Sequence, residues 1–208
     1  VPYIETRGLA WDGESMWGIS YSENRLIEIN PETNEILQRI GIHAMPRAMT
    51  FDGENFIIGE VSRRELYVYG RGGNRLARFE PGLDYDGIAF GDGLLFINCR
   101  MDNQIHVFDY ESLDEVATIA YSGLVGGVDI DCIEWVGGHF EGKLWLNGDN
   151  HVFQIGYDRH WESWLAQDFE WNVDQKYSGI AHDGYNLWHG MRSETNWYKH
   201  SDGITEVH

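Results

Sequence analysis

Two arginines and two aspartates occupy one repeated position in this chain and carry its clearest chemical signal. Arg7, Arg47, Asp86 and Asp131 each occupy the repeat position that directly precedes Gly8 in the first unit, and Ser178 stands there in the last unit. Arginine can grip a carboxylate or phosphate with two parallel hydrogen bonds. If the units close into a ring, these side chains surround the mouth of a central channel. They then either bind a polar ligand or pair with one another and close the channel.

Glu134 is a second candidate, because a carboxylate stands where the other units have small residues. The equivalent residues are Ala10, Thr50, Ala89 and Ala181. Burial in an inner strand would raise the pKa of this carboxyl group unless an arginine pairs with it. A carboxyl group with a raised pKa suits acid–base chemistry. An enzyme would use Glu134 or Asp86 as its general acid–base. Arg7 or Arg47 would stabilise developing negative charge. The alternatives for Glu134 are a structural salt bridge and a solvated channel lining.

The loops between the second and third strands of the units add polar candidates near the same mouth. These are Glu60, Arg100, Asp149 and Arg192, with Trp197 at the start of the last third strand. A packing position should look alike in every unit, so side chains that vary on a repeated scaffold favour ligand binding.

The chain has two cysteines, Cys99 and Cys132, which fall near the mouth in neighbouring units. They predict one disulfide or a buried thiol pair rather than a nucleophile, since no histidine stands at a recognisable spacing. His43, His151 and His189 are scattered over three units. We therefore expect no metal site and no cofactor.

One short stretch recurs along the chain and supplies the elements that position these residues. It is GLAWDG at 8–13, and it returns in altered form at 47–53, 86–90 and 178–184. Short β-branched and aromatic runs separated by Gly, Asn, Asp and Pro predict strands joined by tight turns. In the first unit the strands are expected at 7–11, 16–20, 25–29 and 35–40.

The recurring Asp-Gly pairs and tryptophans have structural explanations. Asp-Gly is the pair that a hairpin turn favours, so Asp12, Asp52 and Asp183 are expected to form turns rather than a ring of ligands. Trp17, Trp145 and Trp188 share one position on the second strand. A column of this kind is typical of packing between neighbouring units.

Five units of about 40 residues fill the chain, at about 7–46, 47–85, 86–128, 129–176 and 177–208. With four strands each, they predict a single all-β domain over 1–208, a five-bladed β-propeller of four-stranded antiparallel blades. A ring is favoured over an open stack because neither end carries a polar cap and a ring hides its strand edges.

The repeats resemble those of bacterial propellers with the pattern G-L-A-x-D-G-x-x-L-W followed by I-x-x-I-x-P-x-T. The likeness is carried by 8–13, Met16-Trp17 and 27–33. The first unit is also similar to the repeat of the glutamine cyclotransferase family, a five-bladed family, at Gly8-Leu9, Met16-Trp17, Tyr21-Ser22 and the turn at 31–33. Repeats of this type serve binding proteins, lyases, hydrolases and cyclotransferases, so the resemblance implies a fold more than an activity.

The net charge of −19 argues against two classes of partner. Nucleic acids and anionic membrane surfaces are polyanions and would be repelled. No apolar run is long enough to span a bilayer, so no membrane insertion is expected. Twelve arginines against three lysines, with many acidic residues, slightly favour an extracellular or periplasmic setting; compartment and oligomeric state stay open.

Together these features predict a binding propeller whose polar mouth holds a small polar molecule or a protein segment. Whether it is an enzyme stays open. The enzymatic alternative is a glutaminyl cyclotransferase-like protein or a lactone or ester hydrolase with a carboxylate acid–base at the mouth. A third alternative is a structural or assembly module, suggested by the tryptophan-rich segment 161–171.

Overall fold

The computed structural model of the chain describes residues 6–33, 35–43, 45–60, 64–99, 101–139, 143–170, 177–191 and 197–201. At 177, 178, 191 and 197–201 it describes the backbone alone. These ranges hold nineteen strands and no helix, and every paired strand runs antiparallel to its neighbour. They accordingly contain no helix that is long and apolar enough to cross a membrane. The all-β prediction is confirmed.

The first sheet shows the repeated unit in its simplest form. Its strands are β1 (Thr6–Trp11), β2 (Met16–Ser20), β3 (Arg25–Ile29) and β4 (Ile36–Gly41), hydrogen-bonded in that order. Each bound lies within one residue of the bound predicted from the turn residues. Local turn chemistry was therefore sufficient to place these strands.

The other four sheets repeat this meander. The second contains β5 (Pro46–Phe51), β6 (Phe56–Glu60), β7 (Leu66–Tyr69) and β8 (Arg75–Phe79). The third contains β9 (Tyr85–Gly91), β10 (Leu94–Cys99), β11 (Gln104–Asp109) and β12 (Glu115–Ala120). The fourth contains β13 (Cys132–Trp135), β14 (Leu144–Gly148), β15 (His151–Tyr157) and β16 (Ser163–Glu170). The fifth contains β17 (Tyr177–His182), β18 (Asn186–Met191) and β19 (Trp197–Ser201).

The first strands of the sheets form a closed cycle. β1 contacts β5, β5 contacts β9, β9 contacts β13, β13 contacts β17, and β17 returns to β1. A line of stacked sheets would leave the first and last of these strands apart. The predicted propeller arrangement of antiparallel blades is confirmed.

The predicted count of five four-stranded blades is not matched. Four of the sheets have four strands, whereas β17–β19 is a three-stranded sheet within the described residues. A fourth strand there would need residues beyond Ser201 or before Thr6, and these lie outside the described ranges. The spacing of the repeat predicted a fourth strand in this sheet, and none of the described residues forms it.

The aspartate side chains stabilise the Asp-Gly turns, as expected from the sequence. Oδ1 of Asp12 accepts the backbone N–H groups of Glu14 and Ser15 at 2.9 and 2.8 Å, and Oδ2 accepts the Trp17 indole at 2.9 Å. Burial opposes ionisation of Asp12, but these donors and Arg71 outweigh it and lower the pKa of the carboxyl. Asp12 therefore fixes the turn and anchors a core tryptophan.

Hydrophobic side chains fill the layers between neighbouring sheets. Trp17, Trp145 and Trp188 are 2%, 1% and 3% exposed, which agrees with the predicted core column. The centroid of the Trp17 ring lies 4.8 Å from the centroid of the Phe56 ring in the next sheet. The core is thus a set of layers, each shared by two sheets. The layers are arranged around the centre of the ring, here called the hub, where the first (inner) strands of the sheets meet.

Glycine allows the inner strands to approach closely at the hub. A Cβ atom on Gly87 would lie 2.8 Å from the backbone nitrogen of Ile133 in the next inner strand. A Cβ atom on Gly179 would lie 2.9 Å from the nitrogen of Leu9. Contacts this short against backbone cannot be relieved by turning a side chain.

We predict that Gly87→Ala lowers the free energy of unfolding by about 1–3 kcal/mol, because the added methyl group must push two inner strands apart. Gly41→Ala is the matched control, since a Cβ atom on that strand glycine would meet nothing within 4 Å. Urea unfolding of the two variants measures the difference. Equal stability of both variants would contradict tight packing at the hub.

Candidate functional site

The centre of the ring is nearly solid. The hub cavity measures about 10 Å³ and is lined by the inner strands, with Arg7 and Asp86 as its charged members. A space of this size holds about one water molecule. Anything larger must bind outside the hub, at the mouth where these two residues lie.

An ion pair bridges two neighbouring sheets at this mouth. The guanidinium of Arg47, on β5, pairs with the carboxylate of Asp86, on β9. Their side chains are 22% and 10% exposed, so water screens the pair only in part. The structure therefore shows mutual pairing for two of the four residues that share this repeat position.

Buried polar groups surround this ion pair. Glu60, at the end of β6, is buried, and its strand position faces Pro46, the residue before Arg47. The buried Tyr85 hydroxyl donates to the backbone carbonyls of Glu60 and Glu65, at 3.2 and 2.6 Å. Burial raises the pKa of Tyr85, so it stays a neutral donor. The mouth between the second and third sheets is thus a polar and largely buried region.

Arg7 and Asp131 occupy the equivalent position in the first and fourth sheets. The Arg7 guanidinium lies over the Tyr21 ring, 5.0 Å from its centroid, and Arg7 also lines the hub cavity. Asp131 is half-buried, and its backbone N–H donates to the carbonyl of Asn147 at 2.8 Å. Arg7, Arg47 and Asp86 are therefore brought together at the hub, with Asp131 beside the hub-lining Cys132.

Glu134 has a role between sheets. Its carboxylate accepts the backbone N–H of His182 in the fifth sheet, and the hub cavity is lined by its neighbour Ile133. At the same repeat position in the second sheet, the Thr50 hydroxyl accepts the backbone N–H of Phe90 at 3.1 Å. Both residues tie one inner strand to the next, whereas the other units have alanine there.

The environment of Glu134 disfavours its charged form. Burial raises the pKa of this carboxyl to about 8, and the N–H of His182 offsets only part of that effect. The predicted rise in pKa is thus present. Among the described residues no arginine is paired with Glu134.

The loop candidates are less well defined by the structure. Asp149 is exposed at the turn between β14 and β15, where its φ of 47° is left-handed. Arg100 and Arg192 lie outside the described residues, and for Trp197 the backbone alone is described, at the start of β19. Glu60 is therefore the loop candidate that the structure places beside the ion pair.

Cys99 and Cys132 are buried and unbridged. Burial raises the pKa of both thiols, and nearby carboxylates add to the effect. A thiol that resists ionisation is a poor nucleophile, in agreement with the sequence analysis. Of the two alternatives predicted for these cysteines, the disulfide is absent, and both thiols are buried.

Sequence reasoning missed Tyr85, whose hydroxyl joins the loop carbonyls behind the ion pair. From sequence, a tyrosine at the start of an inner strand is expected to be a core residue. The Tyr85 ring is indeed buried in the core, and its hydroxyl group forms the polar contacts. In the tryptophan-rich segment, the Trp161 ring stacks on Tyr157 with 5.4 Å between ring centroids, and Trp164 is 41% exposed, whereas Trp171 lies outside the described residues.

We predict that Glu134→Gln becomes progressively more stable than the parent protein as the pH rises from 5 to 8. The folded-state pKa of about 8 exceeds the value of 4.5 for a free carboxyl, so folding binds a proton in this window. The free energy of unfolding of the parent should fall there by at most about 1.4 kcal/mol per pH unit. Glutamine removes this titration and keeps an oxygen for the His182 N–H.

Denaturant unfolding at several pH values measures the difference between the two proteins. Asp149→Asn, at an exposed carboxylate, is the control. A difference between Glu134→Gln and the parent that stays constant from pH 5 to 9 would contradict the perturbed carboxyl.

Comparisons with known proteins extend the fold assignment. The sequence matches no protein-family model. It is similar to no curated protein at the level of sequence. The resemblance of its repeats to particular propeller families therefore stays a prediction.

Solved structures are similar to this chain over nearly its full length. The glutaminyl cyclase of Myxococcus xanthus has a TM-score of 0.74 at 14% identity, covering 94% of this chain and 89% of that one. The hydrazine synthase of Kuenenia stuttgartiensis has a TM-score of 0.56 at 13% identity, covering 92% and 56%. A streptogramin B lyase has a TM-score of 0.53 at 14% identity, covering 93% and 64%. At such identities the likeness shows the propeller fold alone.

Proposed function

We propose that this protein is a five-unit propeller that binds a small polar ligand, or the charged end of a protein segment, at the mouth formed around Arg47 and Asp86. The observation that carries the proposal is the largely buried ion pair between these residues. The equivalent position holds an arginine in two units, an aspartate in two and a serine in the fifth, so the fold itself does not require one residue type there. A buried pair contributes little net stability compared with apolar packing, which favours a role beyond folding.

The charges at the mouth indicate the chemistry of the ligand. Arg47 and the neighbouring Arg7 offer donors to a carboxylate, while Asp86 and the buried Glu60 offer acceptors to an ammonium group. A ligand with both charges could insert between Arg47 and Asp86 and replace each partner. Free amino acids and the ends of peptides have this character. The nearly closed hub limits the ligand to the outer side of the mouth.

A charge swap separates binding from folding. We predict that Arg47→Met and Asp86→Asn each lower the free energy of unfolding by about 1–3 kcal/mol, because one charge is left without its partner. The double variant Arg47→Asp with Asp86→Arg restores an ion pair and should recover much of that stability. All three variants should lose binding, since the order of charges is removed or reversed.

Isothermal titration with a panel of free amino acids and dipeptides measures binding, and thermal unfolding measures stability. Asp114→Asn, on the exposed turn between β11 and β12, is the control and should bind like the parent. Two results would contradict the proposal: no panel member binds the parent, or the swapped variant binds as the parent does.

Cyclisation of an amino-terminal glutamine is the second candidate function. It is favoured by the similarity to a glutaminyl cyclase over 94% of this chain and 89% of that one. In this reaction the α-amine attacks the side-chain amide carbon, and ammonia leaves once it has received a proton. In this candidate function Asp86, which lines the hub cavity, would carry the proton. A pKa of about 8 also suits Glu134 to proton transfer, but its carboxyl group is bonded to the next sheet.

We predict that an active protein would release ammonia from peptides that begin with glutamine, and that Asp86→Asn would lower kcat by at least 100-fold. Mass spectrometry of the peptide and an ammonia assay follow the reaction. Glu134→Gln tests the alternative assignment, and peptides beginning with asparagine are the substrate control. No release by the parent protein would remove this candidate and leave the binding proposal standing.

A further inference from the structure

The hairpin of β10 and β11 brings three metal-ligating side chains to one place. Cys99 ends β10, Asp102 lies in the loop, and His106 is the third residue of β11. Cys99 pairs with Gln104, and Ile97 pairs with His106. Because side chains alternate along a strand, Cys99 and His106 project from the same face of the hairpin.

The loop directs Asp102 toward the same point. Its Oδ1 accepts the backbone N–H of Gln104 at 3.2 Å, which leaves Oδ2 to approach His106 Nε2 at 3.0 Å. The Cys99 thiol contacts the same carboxylate. One ligand atom from each of the three residues lies within 4.8 Å of the other two.

Glu115, on β12, holds the far side of the imidazole. Its Oε1 lies 2.8 Å from His106 Nδ1. When Nδ1 carries a proton and donates it to Glu115, the lone pair of Nε2 points at Asp102 and Cys99. Histidines that bind metals are commonly oriented by a carboxylate in this way.

We propose that Cys99, Asp102 and His106 form a zinc site, with Glu115 as the carboxylate that orients the histidine. Sulfur, imidazole nitrogen and carboxylate oxygen are the ligand types of zinc, whereas calcium and magnesium prefer oxygen alone. In a tetrahedral zinc site the ligand atoms stand roughly 3.4 Å apart, so a shift of about 1 Å suffices.

The proposed site has an open position. Three protein ligands leave the fourth vertex of the tetrahedron for a water molecule or a substrate atom. Cys99 is buried, while the Asp102 side chain is 41% exposed, so the outer side of the site faces solvent. The site is distinct from the ion pair of Arg47 and Asp86 and does not depend on the function proposed for it.

Cobalt(II) is the probe, because it replaces zinc and its visible absorption reports thiolate ligation. We expect the full chain, free of any polyhistidine tag, to bind one cobalt ion with a thiolate charge-transfer band, and zinc to displace it. Cys99→Ser should abolish the band, and His106→Gln should weaken binding at least 10-fold. Glu115→Gln should weaken binding about 10-fold while the band remains.

Two control variants test whether the binding is specific. Cys132→Ser removes the other buried thiol, and His151→Gln removes a half-buried histidine whose Nδ1 lies 2.9 Å from Asp168 Oδ1. Both should bind cobalt as the parent does, and circular dichroism verifies folding. Absence of a thiolate band in the parent, or its persistence in Cys99→Ser, would overturn the proposal and leave His106 as an ion-paired histidine between two carboxylates.

Discussion

The contact of backbone with backbone at the hub is the constraint on which this structure depends. Five inner strands meet in a cycle, and at Gly87 and Gly179 there is no room for a Cβ atom. Close packing at the axis brings each pair of sheets near enough to share one layer of core side chains. It also leaves a hub cavity of only about 10 Å³. The interior therefore serves as a scaffold, and a ligand can bind only at the mouth or on the outer surface of the ring.

That confinement explains which polar residues can act on a ligand. Asp12 and Asp183 look like reactive carboxylates, but their oxygens already accept hydrogen bonds from turn N–H groups and tryptophan indoles. Glu134 resembles Thr50 in joining one inner strand to the next. The ion pair of Arg47 and Asp86 is different, because it joins side chains whose types vary between units. When packing does not determine the residue at a repeat position, variation of that residue between units favours a functional role.

The sequence was most informative where local rules determine structure. Asp-Gly turns and alternating apolar residues located the strands of the first sheet to within a residue, and the recurrence of the unit predicted the ring. The fifth sheet shows the limit, since repeat spacing predicted four strands where three are described. Spacing counts the units, whereas the strands of the fifth unit are described only as far as Ser201.

Side-chain partners were harder to predict because they depend on contacts between sheets. The partner of Glu134 is the backbone N–H of His182, and a backbone group has no signature in the sequence. Opposite charges at one repeat position allowed Arg47 to pair with Asp86 but equally allowed each to bind a ligand. Cys99, Asp102 and His106 stand close in sequence, yet their meeting depends on the hairpin register, which puts two of them on one face.

The outer rim of the ring has a consequence for how the protein behaves in solution. β4, β8, β12 and β16 are the last strands of their sheets, and they expose Leu37, Leu76, Val116 and Leu165. Open strand edges with apolar side chains are templates for joining one molecule to another. A net charge of −19 keeps the molecules apart near neutral pH, and this repulsion vanishes toward the isoelectric point near 4.6. The acidic surface thus limits self-association near neutral pH, and mild acid should make the protein self-associate.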